Sequence, residues 1–420
     1  AVRRLLPVAH PSDIDGRAEL SRWFLDREHE QLVKVDWDQG STWNLGLGCS
    51  DPVFDLAGLA AASPDAALGD ALRHAFEART GEPIEEERLL LYRLAQFATP
   101  GKADHETRRE RKRSATRALQ AYFRQVYFAD LPAAGDGPLC GIDIDGVLES
   151  DHLGVPALTP ISALALRSLL AHGYRPVLVT GRSLVDVRER CEAYGLVGAV
   201  AEYGAVAYGR ASGSVRDLRG VDAAAITSLL TELRAREGIL IDEDYDYAIR
   251  AYVRDARGRR GPLAPEAITA ARRAAGVEED RVIAIGGDAQ TDFVAASTDK
   301  ARGVIALAAE LGEAPPIKLA LAVGDTRADA PMLDLAERAF APAHAKHALG
   351  RYTVTRAPYQ QGFAEAVGGL IGHSCGGCDR CRLDPPSAER RLLLGLLGLR
   401  EAGMRGVPAR AMGVGLRWLV

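Results

Sequence analysis

No apolar run in this chain reaches the roughly 18 residues that a membrane-spanning helix needs. The longest, Leu392 to Leu399, is interrupted by glycines. The N-terminus (Ala1-Val2-Arg3-Arg4-Leu5-Leu6-Pro7) starts with charge, and Pro7, His10 and Asp13 cut off any signal-like apolar stretch. Cysteine is scarce: six in 420 residues. Cys49, Cys140 and Cys191 lie far apart while Cys375, Cys378 and Cys381 are bunched, which is too few and too uneven for a disulfide framework. Basic charge is not in excess, and a net charge of −5 sets up no global field to attract nucleic acid. No internal repeat or low-complexity tract is present. These absences leave the expectation of a cytoplasmic protein with reduced thiols and no membrane partner. A content of 47% hydrophobic and 26% charged residues is that of a folded chain.

The length predicts two or three domains. Residues 1–135 read as mainly helical, with helical spacing over Asp55–Ala62, Ala66–Ala78, Glu85–Phe97 and Arg108–Phe128 and a strand-like run at Leu32–Trp37. Leu131–Pro138 breaks the pattern as a linker. Strict alternation follows: strands at Leu139–Ile144, Pro176–Thr180 and Val197–Ala201, helices at Ser162–His172 and Leu184–Tyr194, and a later strand at Lys318–Val323. Such alternation predicts an α/β fold, a parallel sheet with helices on both faces and ligands outside the carboxyl ends of its strands. Between 208 and 297 the pattern changes to strands at Ile239–Ile241, Tyr247–Val253 and Val282–Ile285 with helices at Ala223–Glu237 and Pro265–Ala275, as in an inserted α+β domain. The expected organisation is therefore a helical domain over 1–135, a core over 136–207 and 298–372, a cap over 208–297 and a Cys-rich tail over 373–420.

Three strand ends carry polar motifs. In Asp143-Ile144-Asp145-Gly146-Val147, alternation puts the two carboxylates on one side of the emerging chain. One can attack while the other handles a leaving-group proton, and Gly146 permits a sharp turn beside a phosphate. An ordinary Asp-Gly turn is the alternative. In Val179-Thr180-Gly181-Arg182, a hydroxyl and adjacent backbone N–H groups can hold a phosphoryl oxygen, or Thr180 can simply cap a helix. In Gly324-Asp325-Thr326-Arg327-Ala328-Asp329, two carboxylates four apart suit Mg²⁺, although a helix cap and a solvated acid would look the same. Paired acids at two strand ends repel one another without a cation, and that is the argument for a metal. Lys300 is the lysine expected to complete the site, with Lys318 as its rival.

Asp-x-Asp-Gly-Val, Thr-Gly-Arg, Lys and Gly-Asp-x-x-x-Asp, in that order over about 139–372, resemble the haloacid dehalogenase (HAD) superfamily. Glu202-Tyr203-Gly204-Ala205-Val206-Ala207-Tyr208 is similar to a stretch of its large-cap, Cof-type sugar-phosphatase branch. The resemblance implies a Rossmann-like core with an inserted cap. It also implies an Asp143 nucleophile forming an aspartyl-phosphate, Asp145 as general acid then base, and Thr180 and Lys300 on the phosphoryl oxygens. Gly146, Gly181 and Arg182 would line the phosphate, and Mg²⁺ would be held by Asp143, the Asp145 carbonyl, Asp325 and Asp329. The implied substrate is a small sugar or polyol phosphate, with Asp242, Glu243, Asp244 and Arg250 as candidate readers in the cap. Ala328, Tyr203 and Ala301 depart from the branch's usual residues. A non-catalytic scaffold and a nucleic-acid end-processing phosphatase are the competing readings.

The front, Val33–Asp38 and Ser50–Ala57, resembles the C-terminal lobe of aminoglycoside-phosphotransferase-type kinases, with Asp36 and Asp55 at the matching acids. No glycine-rich loop or strand lysine accompanies them, so a kinase-lobe relic with a docking role toward a protein partner is expected. The basic run Arg108–Arg113 lacks the interleaved aromatics of a base-stacking surface. In the tail, His373, Cys375, Cys378 and Cys381 supply four soft ligands suited to a structural Zn²⁺. An Fe–S cluster and metal-free thiols are the alternatives.

Overall fold

The computed structural model describes residues 23–29, 31–34, 51–62, 66–97, 105–132, 135–151, 155–384, 390–391 and 394–395. Two compact units emerge, one of residues 1–129, 151–160 and 384–420, the other of 130–150 and 161–383. The first division falls beside the expected linker. The tail divides: 373–383 belongs with the α/β unit, and the described residues from 384 onward with the helical one.

In the first unit, β1 (Trp23–Asp26) and β2 (Gln31–Lys34) form an antiparallel hairpin. Helices α1 (Val53–Ala62), α2 (Ala66–Thr80), α3 (Glu86–Phe97) and α4 (His105–Phe123) follow. Val53, Phe54, Ala57, Ile84, Leu89 and Tyr92 make a small core. Asp51 both caps α1 through the Val53 N–H (3.0 Å) and takes a two-pronged contact from Arg88 (2.6 Å each), so the buried acid is fully engaged in holding α1 to α3. Glu87 is paired with Arg390 (2.9 Å). Asp55 lies on α1, whereas Asp36 falls outside the described residues.

The second unit is built on an eight-stranded sheet. Its strands are β3 (Leu139–Ile142), β6 (Arg175–Val179), β7 (Gly198–Ala201), β8 (Val206–Gly209), β9 (Ser214–Asp217), β15 (Leu321–Val323), β16 (Ala339–Ala341) and β17 (Thr353–Val354). Between β3 and α5 (Pro160–Ala171) the chain runs through two short strands, β4 (Glu149–Asp151) and β5 (Pro156–Leu158), the latter in the first unit. The order is β17-β16-β15-β3-β6-β7-β8-β9, parallel from β17 to β7. Every residue of β3, β6 and β7 is buried, the signature of strands covered on both faces. Besides α5, helices α6 (Leu184–Tyr194), α9 (Lys300–Glu310), α10 (Ala330–Leu333), α11 (Lys346–Leu349) and α12 (Tyr359–Ile371) belong to this part. Val177, Val200, Leu307, Ala322 and Met332 are among its core residues.

The inserted segment is smaller than 208–297. Residues through Asp217 join the core sheet, because β8 and β9 extend it antiparallel from β7. The insertion itself runs α7 (Ala223–Arg234), β10 (Leu240–Ile241), β11 (Ile249–Arg254), β12 (Arg260–Gly261), α8 (Pro265–Ala275), β13 (Val282–Gly286) and β14 (Thr291–Ala295). Its sheet order is β10-β11-β14-β13, with β12 on β11. Ile226, Leu229 and Leu233 of α7 and Ala271 of α8 bury against Ile249, Ala251, Phe293 and Ala295. It thus carries a core of its own.

Candidate active site

Val323, Ile142 and Leu178 stand in register across β15, β3 and β6. The chain leaves all three strands at one edge, so Asp143, Thr180 and Asp325 are neighbours by topology alone. Asp143 is 4% exposed and Asp329 fully buried. Lys300, at the first turn of α9 and 3% exposed, donates to Asp143 Oδ1 at 2.8 Å and also to Asp329. Lys318, the rival, is exposed. Burial works against the Lys300 charge, but Asp143 and Asp329 overcome it and raise its pKa. Burial, then the proximity of Asp329, pushes Asp143 well above the ordinary carboxylate range, with Lys300 opposing.

Asp143, Asp325 and Asp329 each present an oxygen within 4.8 Å of the others. Asp329 Oδ2 is spoken for: it accepts from the N–H of Asp325 (3.0 Å), the N–H of Thr326 (2.8 Å) and the Thr326 hydroxyl (2.8 Å). Asp325 Oδ1 is buried with no hydrogen-bond partner among the described residues. A buried carboxylate oxygen left bare beside two other acids is the arrangement a hard cation relieves, so the donor set fits Mg²⁺. Its Oδ2 accepts from His344 Nε2 at 3.1 Å. His344 Nδ1 in turn accepts from the Tyr359 N–H (3.1 Å), which puts the ring proton on Nε2, and the ring stacks on Tyr359 at 4.0 Å. Nothing in the sequence marked His344.

Gly146 has φ +74°, and a Cβ there would sit 2.0 Å from Asp325 Oδ2. Only glycine lets the β3 loop pass the metal-type cluster. Gly181 runs under the Tyr203 ring, which a Cβ would meet at 2.4 Å. Thr180 is buried and its hydroxyl accepts from the Arg182 N–H (3.2 Å).

Asp145 does not join the acid cluster. Its carboxylate takes two hydrogen bonds from Arg182 (2.9 and 2.5 Å). Desolvation opposes its charge only weakly, because the carboxylate is 65% exposed, and the Arg182 guanidinium holds its pKa down to about 2. Arg182 is itself braced by Asp186 (3.2 Å) and, at 3.8 Å, by Glu149, which the fully buried Arg190 clamps at 2.9 and 2.7 Å.

The insertion is tied to this edge through Glu202 and Tyr203. Buried Glu202 accepts from the N–H groups of Tyr247 (2.7 Å) and Ala248 (2.6 Å) in the insertion and of Leu184 (3.2 Å) at the start of α6. Tyr203 has φ +61°, a left-handed conformation better suited to Asn. Its hydroxyl bonds Asp292 at 2.6 Å, and Asp292 is gripped by Arg250 (2.7 and 2.8 Å), which lies 4.4 Å over the Tyr245 ring. Of the four expected cap readers, Arg250 alone enters this network. Glu243 pairs with Arg234 at the surface, and the Asp242 carboxylate accepts from the Asp244 N–H at 3.4 Å.

In the tail, His373, Cys378 and Cys381 gather with His172, which no sequence motif links to them. Cys375 stands apart from that set, its thiol directed at the Ala364 carbonyl at 3.4 Å.

No family model and no curated protein matches the chain. Solved structures do resemble it. A haloacid dehalogenase-like hydrolase from B. subtilis is 16% identical, covering 56% of this chain and 99% of its own, with a TM-score of 0.41. A phosphatase of the haloalkanoate (HAD) superfamily from Bacteroides thetaiotaomicron is 18% identical over 58% and 99%, TM-score 0.41. A HAD subclass IIB sugar phosphatase is 15% identical over 56% and 99%, TM-score 0.42.

Proposed function

We propose that this chain is a Mg²⁺-dependent phosphomonoester hydrolase working through an aspartyl-phosphate on Asp143. The observation that carries this reading is the meeting of Asp143, Asp325, Asp329 and Lys300 at one sheet edge, with Asp325 Oδ1 unpartnered. Asp143, Asp325 and Asp329 would hold Mg²⁺, which supplies the charge that lets a phosphate dianion approach three acids. Lys300 already touches the nucleophile and reaches a phosphoryl oxygen without moving far. Asp143 attacks phosphorus, and the P–O bond to the alcohol breaks with its electron pair going to oxygen. Asp145 gives the alcohol a proton and later takes one from the water that cleaves the acyl phosphate.

The Arg182 clamp shapes that cycle. With Arg182 in place Asp145 is an anion, fit to be the base. To be the acid it must carry a proton, which an incoming phosphate would favour by drawing the Arg182 guanidinium away from it. A small sugar or polyol phosphate is the substrate class that suits an edge approached by Tyr203, Tyr245 and Arg250. The acidic net charge disfavours a nucleic-acid end. Assay of the full chain against a panel of phosphomonoesters with Mg²⁺ tests the reading: hydrolysis of sugar phosphates is expected, and inactivity on every member overturns it.

A further inference from the structure

The helices α5 and α12 both end close to a histidine. His172 completes the last turn of α5, its N–H reaching the Ser168 carbonyl at 3.2 Å, and His373 follows Gly372, which closes α12. Helix C-termini carry partial negative charge and favour a cation.

The ring nitrogens decide what lies between them. His172 Nδ1 is 2.7 Å from the Ser168 carbonyl oxygen and His373 Nδ1 is 2.8 Å from the Ser374 carbonyl oxygen. A carbonyl only accepts, so each Nδ1 bears the proton and each neutral ring has a bare Nε2. Those two bare nitrogens face one another at 3.2 Å. Two lone pairs at that distance repel unless a cation stands between them. Cys378 Sγ is 3.5 Å from His172 Nε2 and 3.5 Å from Cys381 Sγ. A tetrahedral Zn²⁺ with ordinary bond lengths has edges of about 3.3 Å between nitrogens, about 3.6 Å between N and S, and about 3.8 Å between sulfurs. The observed spacings of 3.2, 3.5 and 3.5 Å each lie within a few tenths of an ångström of these edges.

We propose that His172, His373, Cys378 and Cys381 bind one Zn²⁺ in a closed, structural His₂Cys₂ site. Cys375, although next to the other cysteines in sequence, is no ligand. A two-iron cluster does not suit: His and Cys ligands on separate irons stand farther apart than 3.5 Å. The site sits at the start of β6, three residues before Arg175, while Thr180 follows the other end of that strand, about 16 Å along at ordinary strand rise. The ion therefore serves no phosphate chemistry. It fastens residues 373–383 to one face of α5, where Arg167 also holds the carbonyls of Cys381 (3.1 Å) and Arg382 (3.3 Å), and the Ser168 hydroxyl accepts from the Gly376 N–H (3.2 Å).

Native mass spectrometry and zinc-edge X-ray absorption on the full chain test this. One Zn²⁺ per chain with two sulfur and two nitrogen neighbours is expected. His172→Ala should weaken zinc affinity by more than about 100-fold, since losing a ligand exceeds the effect of losing its support. Cys375→Ser should keep one zinc in an unchanged shell. A shell of three sulfurs and one nitrogen, zinc lost from Cys375→Ser and kept by His172→Ala, or wild-type protein without metal overturns the proposal. If His172→Ala does not fold, Co²⁺-loaded wild type decides, because its thiolate charge-transfer intensity separates two cysteine ligands from three.

Discussion

The Lys300 ammonium donates to Asp143 Oδ1 at 2.8 Å across 157 positions of sequence, joining the head of α9 to the end of β3. Both groups are buried, so each is the other's compensation for lost hydration. In the proposed reaction Asp143 is also the atom donor to phosphorus. Asp143→Asn should therefore keep the fold and lower turnover by several powers of ten. Steady-state assay with an aryl phosphate, with circular dichroism as the control, checks it; a variant retaining a tenth of the wild-type rate contradicts the assignment.

Lys300→Met should act on stability as well. It leaves Asp143 and Asp329 facing each other with no cation from the protein. Removing one partner of a buried ion pair costs about 3–5 kcal/mol. Thermal unfolding without Mg²⁺ should show that loss, and saturating Mg²⁺ should restore part of it. Unchanged stability in the variant would mean the lysine is not a structural counter-ion.

Which features were legible in the sequence follows from how local they are. Asp143, Thr180 and Asp325 could be grouped because each follows an apolar run, and strand ends in a parallel sheet share an edge. Lys300 could be chosen because it opens a helix. His172 could not be found because it meets His373 across 201 positions, and His344 because no motif or periodicity links it to Asp325, 19 positions away. Strand β14 is not legible because Asp288-Ala289-Gln290-Thr291-Asp292 reads as a polar turn, whereas Asp292 is buried and paired with Arg250. Strands β8 and β9 join the core sheet antiparallel, outside the α/β alternation, so their place in it is not legible from that alternation.

Mg²⁺ should bind through Asp325. Calorimetric titration of wild type is expected to show one site, and Asp325→Asn should weaken it by at least about tenfold, the loss of roughly 1.4 kcal/mol or more of charge attraction. EDTA should abolish turnover. Full activity in excess chelator would remove the metal from the mechanism.

Asp145→Asn should discriminate between leaving groups. An aryl phosphate departs as a stabilised anion and needs little proton donation, whereas an alkyl phosphate needs it. The variant should lose about 10²–10⁴-fold on alkyl phosphates and much less on p-nitrophenyl phosphate in the first, acylating step. Burst kinetics measure that step directly. Equal losses on both would assign Asp145 a role other than proton transfer.

The last prediction concerns Glu202 and pH. Its carboxyl is fully buried, and burial pushes its pKa up from 4.5 to about 7, in spite of the N–H groups of Ala248, Tyr247 and Leu184 that favour the anion. A folded-state pKa above the unfolded one means that the folded protein binds the proton more tightly. The associated stability is complete below about pH 4.5, is lost as pH rises toward 7, and stays lost above it. At about 1.36 kcal/mol per unit over some 2.5 units, the swing is on the order of 3 kcal/mol. Glu202→Gln cannot ionise and lacks that slope. The stability difference, wild type minus variant, should therefore fall between pH 4.5 and 7 and level off beyond. Denaturant unfolding at a series of pH values measures it. Hydrogen exchange at Tyr247 and Ala248 locates it, because these amides bond to the carboxyl itself. A difference that is flat over this range, or that grows with pH, would show that the N–H groups hold Glu202 ionised and that burial does not prevail.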